Sequence, residues 1–317
     1  MRLLNTTTLE LAEFFEADIP HYAILSHRWS NDEISFKEFR KGLRQESLGY
    51  QKVATFAEFA CAQGQGWCWV DTICIDKRSS AELTEAINSM FKWYERSSAC
   101  YVHLADVPSL ATHSPGAILE SFKKSVWFTR GWTLQELLAP SRIIFCTSDW
   151  EVIGSPSEWN RGFDESWPLC VDEMRDTTAA ITGIPDENLG GRWVLNRCVA
   201  EKMRWASQRS CTRGEDVAYS LLGLFDVNMP LLYGEGGRKA FIRLQLEIIR
   251  KSHDGTILDW SSAQDGWQSL LAPSPRQFKL PGEIVQTENE RPTPSSQEDV
   301  SYNLTNKGIE LHCWAQW

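Results

Sequence analysis

No apolar run in this chain approaches the roughly 18 residues that a membrane-crossing helix requires, so no membrane span is predicted. The first residues, Met1-Arg2-Leu3-Leu4-Asn5-Thr6, lack the apolar core of a secretory signal. Basic excess is missing too: 32 Lys and Arg stand against 42 Asp and Glu, a formal net charge of −10. A nucleic-acid partner needs a basic face, and Arg40, Lys41 and Arg44 are too sparse to make one, so no nucleic-acid binding is expected. The nine Cys form no C-x-x-C pair and no Cys/His cluster with zinc spacing, so no metal site is predicted. Their odd number fits thiols in a reducing compartment. The expected location is therefore the cytoplasm, which makes the Asn5-Thr6-Thr7 and Asn303-Leu304-Thr305 sequons incidental. A G-x-S-x-G elbow, an H-E-x-x-H helix, a Walker A loop and a G-x-G-x-x-G fingerprint are all absent.

What is abundant is tryptophan, 15 in 317 residues, which implies many large aromatic anchors in the core or on an exposed surface. The first half alternates strand and helix signals. Tyr22–Ser26, Trp67–Asp71, Ala99–Leu104 and Arg142–Cys146 are apolar runs of strand length. Ser35–Arg44 and Gly49–Gln63 have helical periodicity, and so do Leu83, Ile87, Met90 and Tyr94, preceded by the capping residues Ser79, Ser80 and Glu82. Strands alternating with helices predict a parallel α/β sheet flanked by helices.

From about Cys170 to Ser252 the patterns are helical, strongest over Glu215–Phe225 and Arg238–Lys251. Residues 283–300 read as a solvated linker, and Tyr302–Trp317 as a strand pair around Asn306-Lys307-Gly308. The chain stops inside that pattern, which reads as truncation. The expected organisation is an α/β domain at 1–155, a helical extension at 156–262, and a loop-rich tail with a short β segment at 263–317.

Two stretches invite a chemical reading. In Arg130-Gly131-Trp132-Thr133-Leu134-Gln135-Glu136-Leu137, Glu136 follows Trp132 by four residues and shares its helical face. A carboxylate against an indole has a raised pKa or demands a partner. The alternative is an ion pair of Glu136 with Arg130 or Arg142. His27-Arg28-Trp29 leaves the first predicted parallel strand at its carboxyl end, where open α/β sheets bind ligands, and offers a cation, an acid/base and a stacking surface. Asp71, Asp76 and Lys77 follow the second such strand at the same edge. Tyr233-Gly234-Glu235-Gly236-Gly237 is read as a tight turn packing Tyr233. Glu215 and Asp216 are read as supporting structure at a helix start.

These blocks resemble a known family. Tyr22-Ala23-Ile24-Leu25-Ser26-His27-Arg28-Trp29, Trp69-Val70-Asp71-Thr72-Ile73-Cys74-Ile75-Asp76 and the Arg130–Leu137 block look like the three signature blocks of the fungal heterokaryon-incompatibility (HET) domain, in family order. Ser210–Ser220 and Leu232–Gly236 resemble the helical region that often follows it. Lys77 departs from the Gln of many members. A more distant resemblance is to TIR domains: Leu25-Ser26-His27-Arg28 matches the end of their first strand. Trp132-Thr133-Leu134-Gln135-Glu136-Leu137 matches their W-C-x-x-E-L helix, with Thr133 in place of Cys.

The resemblance implies a TIR-like sheet and a cell-death effector of fungal non-self recognition, acting through self-association and an upstream recognition protein. In active TIR domains the corresponding Glu serves NAD cleavage. Carried over, this makes Glu136 the catalytic residue and NAD, or a related nucleotide, a substrate rather than a cofactor. His27, Arg28, Trp29, Asp71 and Trp132 then line the substrate site. The opposing expectation is a non-catalytic docking module in which Glu136 is structural.

Overall fold

The computed structural model describes residues 1–157, 167–189, 192–261, 269–278, 302–305 and 308–311. The linker expected at 283–300 lies outside the described residues. The chain opens with a hairpin of β1 (Arg2–Asn5) and β2 (Leu11–Glu13), which buries Leu3 and Leu4 completely. Then follow β3 (Ala23–His27), α1 (Phe36–Arg40), α2 (Leu48–Ala62) and β4 (Trp67–Trp69). A single turn, α3 (Asp71–Cys74), leads to α4 (Ser80–Glu95) and β5 (Ala99–His103). After these come α5 (Pro115–Lys123), α6 (Thr133–Leu138), β6 (Ile143–Cys146) and β7 (Val152–Gly154). The starts are set locally. Ser35 and Glu38 form a capping box at α1, and the Ser79 hydroxyl accepts from the Glu82 amide at α4.

These strands form one seven-stranded sheet in the order β2-β1-β4-β3-β5-β6-β7. The central β4, β3, β5 and β6 run parallel, as the alternation predicts, and the edges are antiparallel. The first two parallel strands pair with each other, Ala23 opposite Cys68. Every residue of β3 and β5 is buried, because helices cover both faces. Numbered along the chain, the four parallel strands stand in the order 2-1-3-4. The order therefore reverses between β3 and β5, and the crevice at the carboxyl ends of those two strands is a topological switch point.

Beyond β7 the described chain is helical: α7 (Val171–Thr182), α8 (Val199–Ala206), α9 (Asp216–Tyr219) and α10 (Gly237–Lys251). The helix read over Glu215–Phe225 is shorter than its pattern. After α9 the chain passes through a 3-10 turn at Gly223–Phe225 and a left-handed Asp226, φ 50°. Leu221, Leu222 and Leu224 are all buried. The strand pair expected near the end is β8 (Tyr302–Thr305) against β9 (Gly308–Leu311), antiparallel, with Thr305 opposite Gly308. No helix among the described residues is long and apolar enough to cross a membrane.

Candidate functional site

Successive strand residues face opposite sides of a sheet, so Ser26 and His27 at the end of β3 address two different surroundings. On the Ser26 side, α6 lays Glu136 against the strand. The Ser26 hydroxyl donates to Glu136 Oε2 at 2.5 Å and accepts from Trp127 Nε1 at 2.9 Å. The Tyr94 hydroxyl donates to the Leu25 carbonyl at 3.0 Å and lies near Glu136. Glu136 is 8 % exposed and has no ion pair with Lys or Arg among the described residues. Arg130 instead donates to Thr212 Oγ1 at 3.0 Å.

Burial pushes the Glu136 carboxyl up to about 8. Ser26 opposes the shift, Asp71 adds to it, and Arg209 and Tyr94 oppose it. The hydrogen bonds run from Trp127 Nε1 to the Ser26 hydroxyl and from that hydroxyl to Glu136 Oε2, while the Tyr94 hydroxyl proton goes to the Leu25 carbonyl.

The loop before α6 is gripped by the helical region. Arg209, just past α8, is buried and donates through Nη1 to the Arg130 carbonyl at 3.0 Å and to Thr133 Oγ1 at 2.9 Å. Burial lowers its pKa to about 10 against the pull of Glu136. Gly131 N–H donates to the Ser210 carbonyl at 2.9 Å and Ser210 N–H to the Thr129 carbonyl at 2.8 Å, which adds a short parallel bridge. Asp216 accepts from the Tyr233 hydroxyl at 2.9 Å and lies near the Trp132 indole. Glu215 Oε1 accepts from the Gly234 and Gly236 amides at 2.9 and 3.0 Å. The two glycines have φ of 102° and 88°, so the tight turn read there presents its N–H groups to an internal carboxylate.

On the opposite side, His27, Glu33, Lys52 and Asp71 converge. His27 Nε2 lies 3.8 Å from Glu33 Oε2 and 4.0 Å from Asp71 Oδ1, and the His27 side chain is 1 % exposed. Lys52 Nζ pairs with Glu33 Oε1 at 2.5 Å. Asp71 uses its other oxygen, Oδ2, to accept from Trp29 Nε1 at 2.9 Å and to face Lys77 Nζ at 3.4 Å, while that ammonium sits 3.5 Å from the Trp29 ring centroid. Burial raises the Asp71 pKa, but Lys77, His27 and Lys52 together outweigh it and leave the carboxyl below its ordinary value. His27 pairs in register with His103 across the switch point.

The structure thus gathers His27, Trp29 and Asp71. Arg28 beside them is exposed. Glu136 stands across β3, and Trp132 lies near Asp216. Asp71 is common ground, since its charge acts on both His27 and Glu136. Sequence reading missed Ser26, Glu33, Lys52, Tyr94, Trp127 and Arg209 as members of these clusters. For Ser26 the alternation of β3 was a usable signal; the others come from distant elements. Among the described residues no group of three His, Cys, Asp or Glu side chains has the spacing to hold a metal ion.

Burial, then Lys52, lowers the His27 pKa from 6.5 to about 4, while Asp71 and Glu33 oppose the shift. The folded state therefore holds a neutral imidazole that the unfolded chain protonates first. Stability from this group is complete above pH 6.5 and is lost as pH falls towards 4, by about 3 kcal/mol in all. Denaturant titrations at pH 7 and 4.5 are expected to show that loss, and His27→Gln is expected to flatten it. An equally steep acid limb in the variant would assign it elsewhere.

This α/β domain, with its site at the carboxyl edge of the sheet, is similar to heterokaryon-incompatibility domains. Residues 22–115 match the family model described as Heterokaryon incompatibility protein (HET). Over 245 residues the chain is 43% identical to Vegetative incompatibility protein HET-E-1 of Podospora anserina, an alignment covering 76% of this chain and 17% of that protein. The chain therefore spans less than a fifth of that relative's length. No solved structure matches it.

Proposed function

We propose that this chain is a cytoplasmic effector of fungal non-self recognition whose α/β domain, residues 1–155, cleaves NAD through Glu136. The helical extension at 156–262 holds the Glu136 loop in place. The observation that carries the reading is a carboxyl without a cationic partner, buried and held by Ser26 beside the switch point. The similarity to a vegetative incompatibility protein and the TIR-like spacing of Ser26-His27-Arg28 and Trp132…Glu136 support it.

Glycoside cleavage passes through an oxocarbenium-like state. Nicotinamide leaves NAD as a neutral base from a pyridinium cation, so no general acid is required. One carboxylate beside the ribose stabilises the developing charge. A group with a pKa of about 8 is mostly protonated at neutral pH, and the pyridinium of a bound substrate favours its ionised form, so binding releases a proton. Arg28 meets the pyrophosphate, Trp29 and Trp132 offer stacking surfaces, and His27 and Asp71 hold sugar hydroxyls. Self-association and an upstream recognition protein switch the effector on.

The second reading is a non-catalytic self-association or partner-docking module. It is favoured by the fact that Glu136 is buried and already accepts from Ser26 within the chain. Nicotinamide release from NAD by the purified full chain separates the two. The expected result is release that falls roughly 10²–10³-fold in Glu136→Gln. No release by the parent chain, at any protein concentration that allows self-association, selects the docking module.

A further inference from the structure

We infer that the cluster at the β3–β5 switch point is a hydroxyl-recognition subsite, in which Glu33 and Asp71 accept from the vicinal hydroxyls of a ribose-bearing nucleotide while His27 Nε2 contacts the same diol. The inference deepens the NAD reading and rests on it for the nucleotide, but it requires binding only, not cleavage.

Two buried atoms point into this place without a hydrogen-bond partner, His27 Nε2 and Glu33 Oε2. Asp71 turns Oδ1 toward the same imidazole nitrogen at 4.0 Å, while its Oδ2 is occupied by Trp29 and Lys77. Distances of 3.8 and 4.0 Å are too long for direct hydrogen bonds but fit groups that each contact through one interposed oxygen. The charges then restrict what that oxygen belongs to. Glu33 and Asp71 are matched by Lys52 and Lys77, and His27 is neutral, so the cluster has no net charge to attract an ion. The carboxylates accept and do not donate. The fitting fragment is thus neutral and rich in O–H donors. Its location is the crevice outside the carboxyl ends of the strands at a topological switch point, where open α/β sheets bind ligands. Trp29, half exposed at the rim and fixed by Asp71, stands where a base or nicotinamide ring would stack.

The test uses the full chain and calorimetric titration with AMP, 2′-deoxy-AMP and ADP-ribose, none of which contains the nicotinamide bond. AMP is expected to bind at least tenfold more tightly than its 2′-deoxy form, and Glu33→Gln is expected to weaken AMP and ADP-ribose at least tenfold. Because Glu33 also pairs with Lys52, the variant's melting temperature is measured alongside. The parent chain is also read directly, through a shift of the His27 ring-nitrogen resonances on adding AMP, assigned with His27→Gln. Equal affinity for AMP and 2′-deoxy-AMP, or unmoved His27 resonances, overturns the inference; a cluster that holds only a structural water gives that outcome. Diol discrimination without nicotinamide release ends the cleavage reading and keeps this one. Nicotinamide release without diol discrimination does the reverse.

Discussion

Glu136→Gln is expected to melt well above the parent chain at pH 9 and close to it at pH 5. The acid of the parent is raised from 4.5 to about 8 in the fold, chiefly by burial. An acid with a raised folded pKa binds more protons folded than unfolded. Stability from it is therefore complete below about pH 4.5, declines as pH rises, and is fully lost above about 8. The whole shift corresponds to about 4–5 kcal/mol. Glutamine imitates the neutral carboxyl: its carbonyl can accept from Ser26 as the Glu136 carboxyl does. What it removes is the charge that the parent must bury at high pH. The difference at pH 9 should reach on the order of 5–10 °C. Thermal melts of both proteins from pH 5 to 9 check it. A variant less stable at every pH would mean that Glu136 is ionised and paired after all.

The His27 slope runs the other way. Between about pH 4.5 and 6.5 the His27 gain and the Glu136 loss offset each other, and above 6.5 the Glu136 slope stands alone. Two buried titrating groups on opposite sides of one strand thus leave a flat stretch of stability and then a fall on the alkaline side. The double variant, His27→Gln with Glu136→Gln, should lose both slopes.

The parallel core was legible because its strands are short unbroken apolar runs between helical patterns, and Tyr22–Ser26 and Trp67–Asp71 needed little more than that. The β1–β2 hairpin was not. Its strands are four and three residues long, too short for alternation to declare itself, and β1 joins the sheet only by pairing with β4. The motifs located Glu136, His27, Trp29 and Asp71. Their grouping was harder to read, because it follows from side-chain direction and from residues far away in the chain. Period-2 alternation already separates Ser26 from His27, whereas His27-Arg28-Trp29 reads as one unit when taken as a string. Glu33 and Lys52 belong to the His27 cluster through a salt bridge across 19 residues, and Arg209 reaches Thr133 across 76. No spacing rule encodes such contacts, which arise only once α2 and the segment after α8 have docked.

Gly131→Ala should be among the most damaging single methyl additions in the protein, and Cys211→Ala should largely repair it. A Cβ on Gly131 would stand 2.3 Å from Cys211 Sγ and 3.3 Å from Ser220 Oγ, so one of the segments must move. The Gly131 backbone does not have a positive φ, so the cost is steric. Overpacking of this kind costs about 1–3 kcal/mol. Here the displaced segment also carries the Ser210 bridge and the Arg209 hydrogen bonds that hold the loop before α6. Losing them with the clash places the expected effect at the upper end, about 3 kcal/mol. Cys211 is suited to the repair. Burial raises its thiol to about 11, so the sulfur is a neutral packing group near neutral pH. Removing it alone should cost only about 1 kcal/mol. In the double variant the new methyl occupies space the sulfur has left, so the two changes should couple favourably by more than about 1.5 kcal/mol. Denaturant midpoints of the parent, both single variants and the double variant close the cycle. If the two losses simply add, the helical region does not grip the Glu136 loop at this contact. If they couple as expected, any nicotinamide release lost in Gly131→Ala should return in the double variant, because the grip that fails in one and recovers in the other is what sets Glu136 against Ser26.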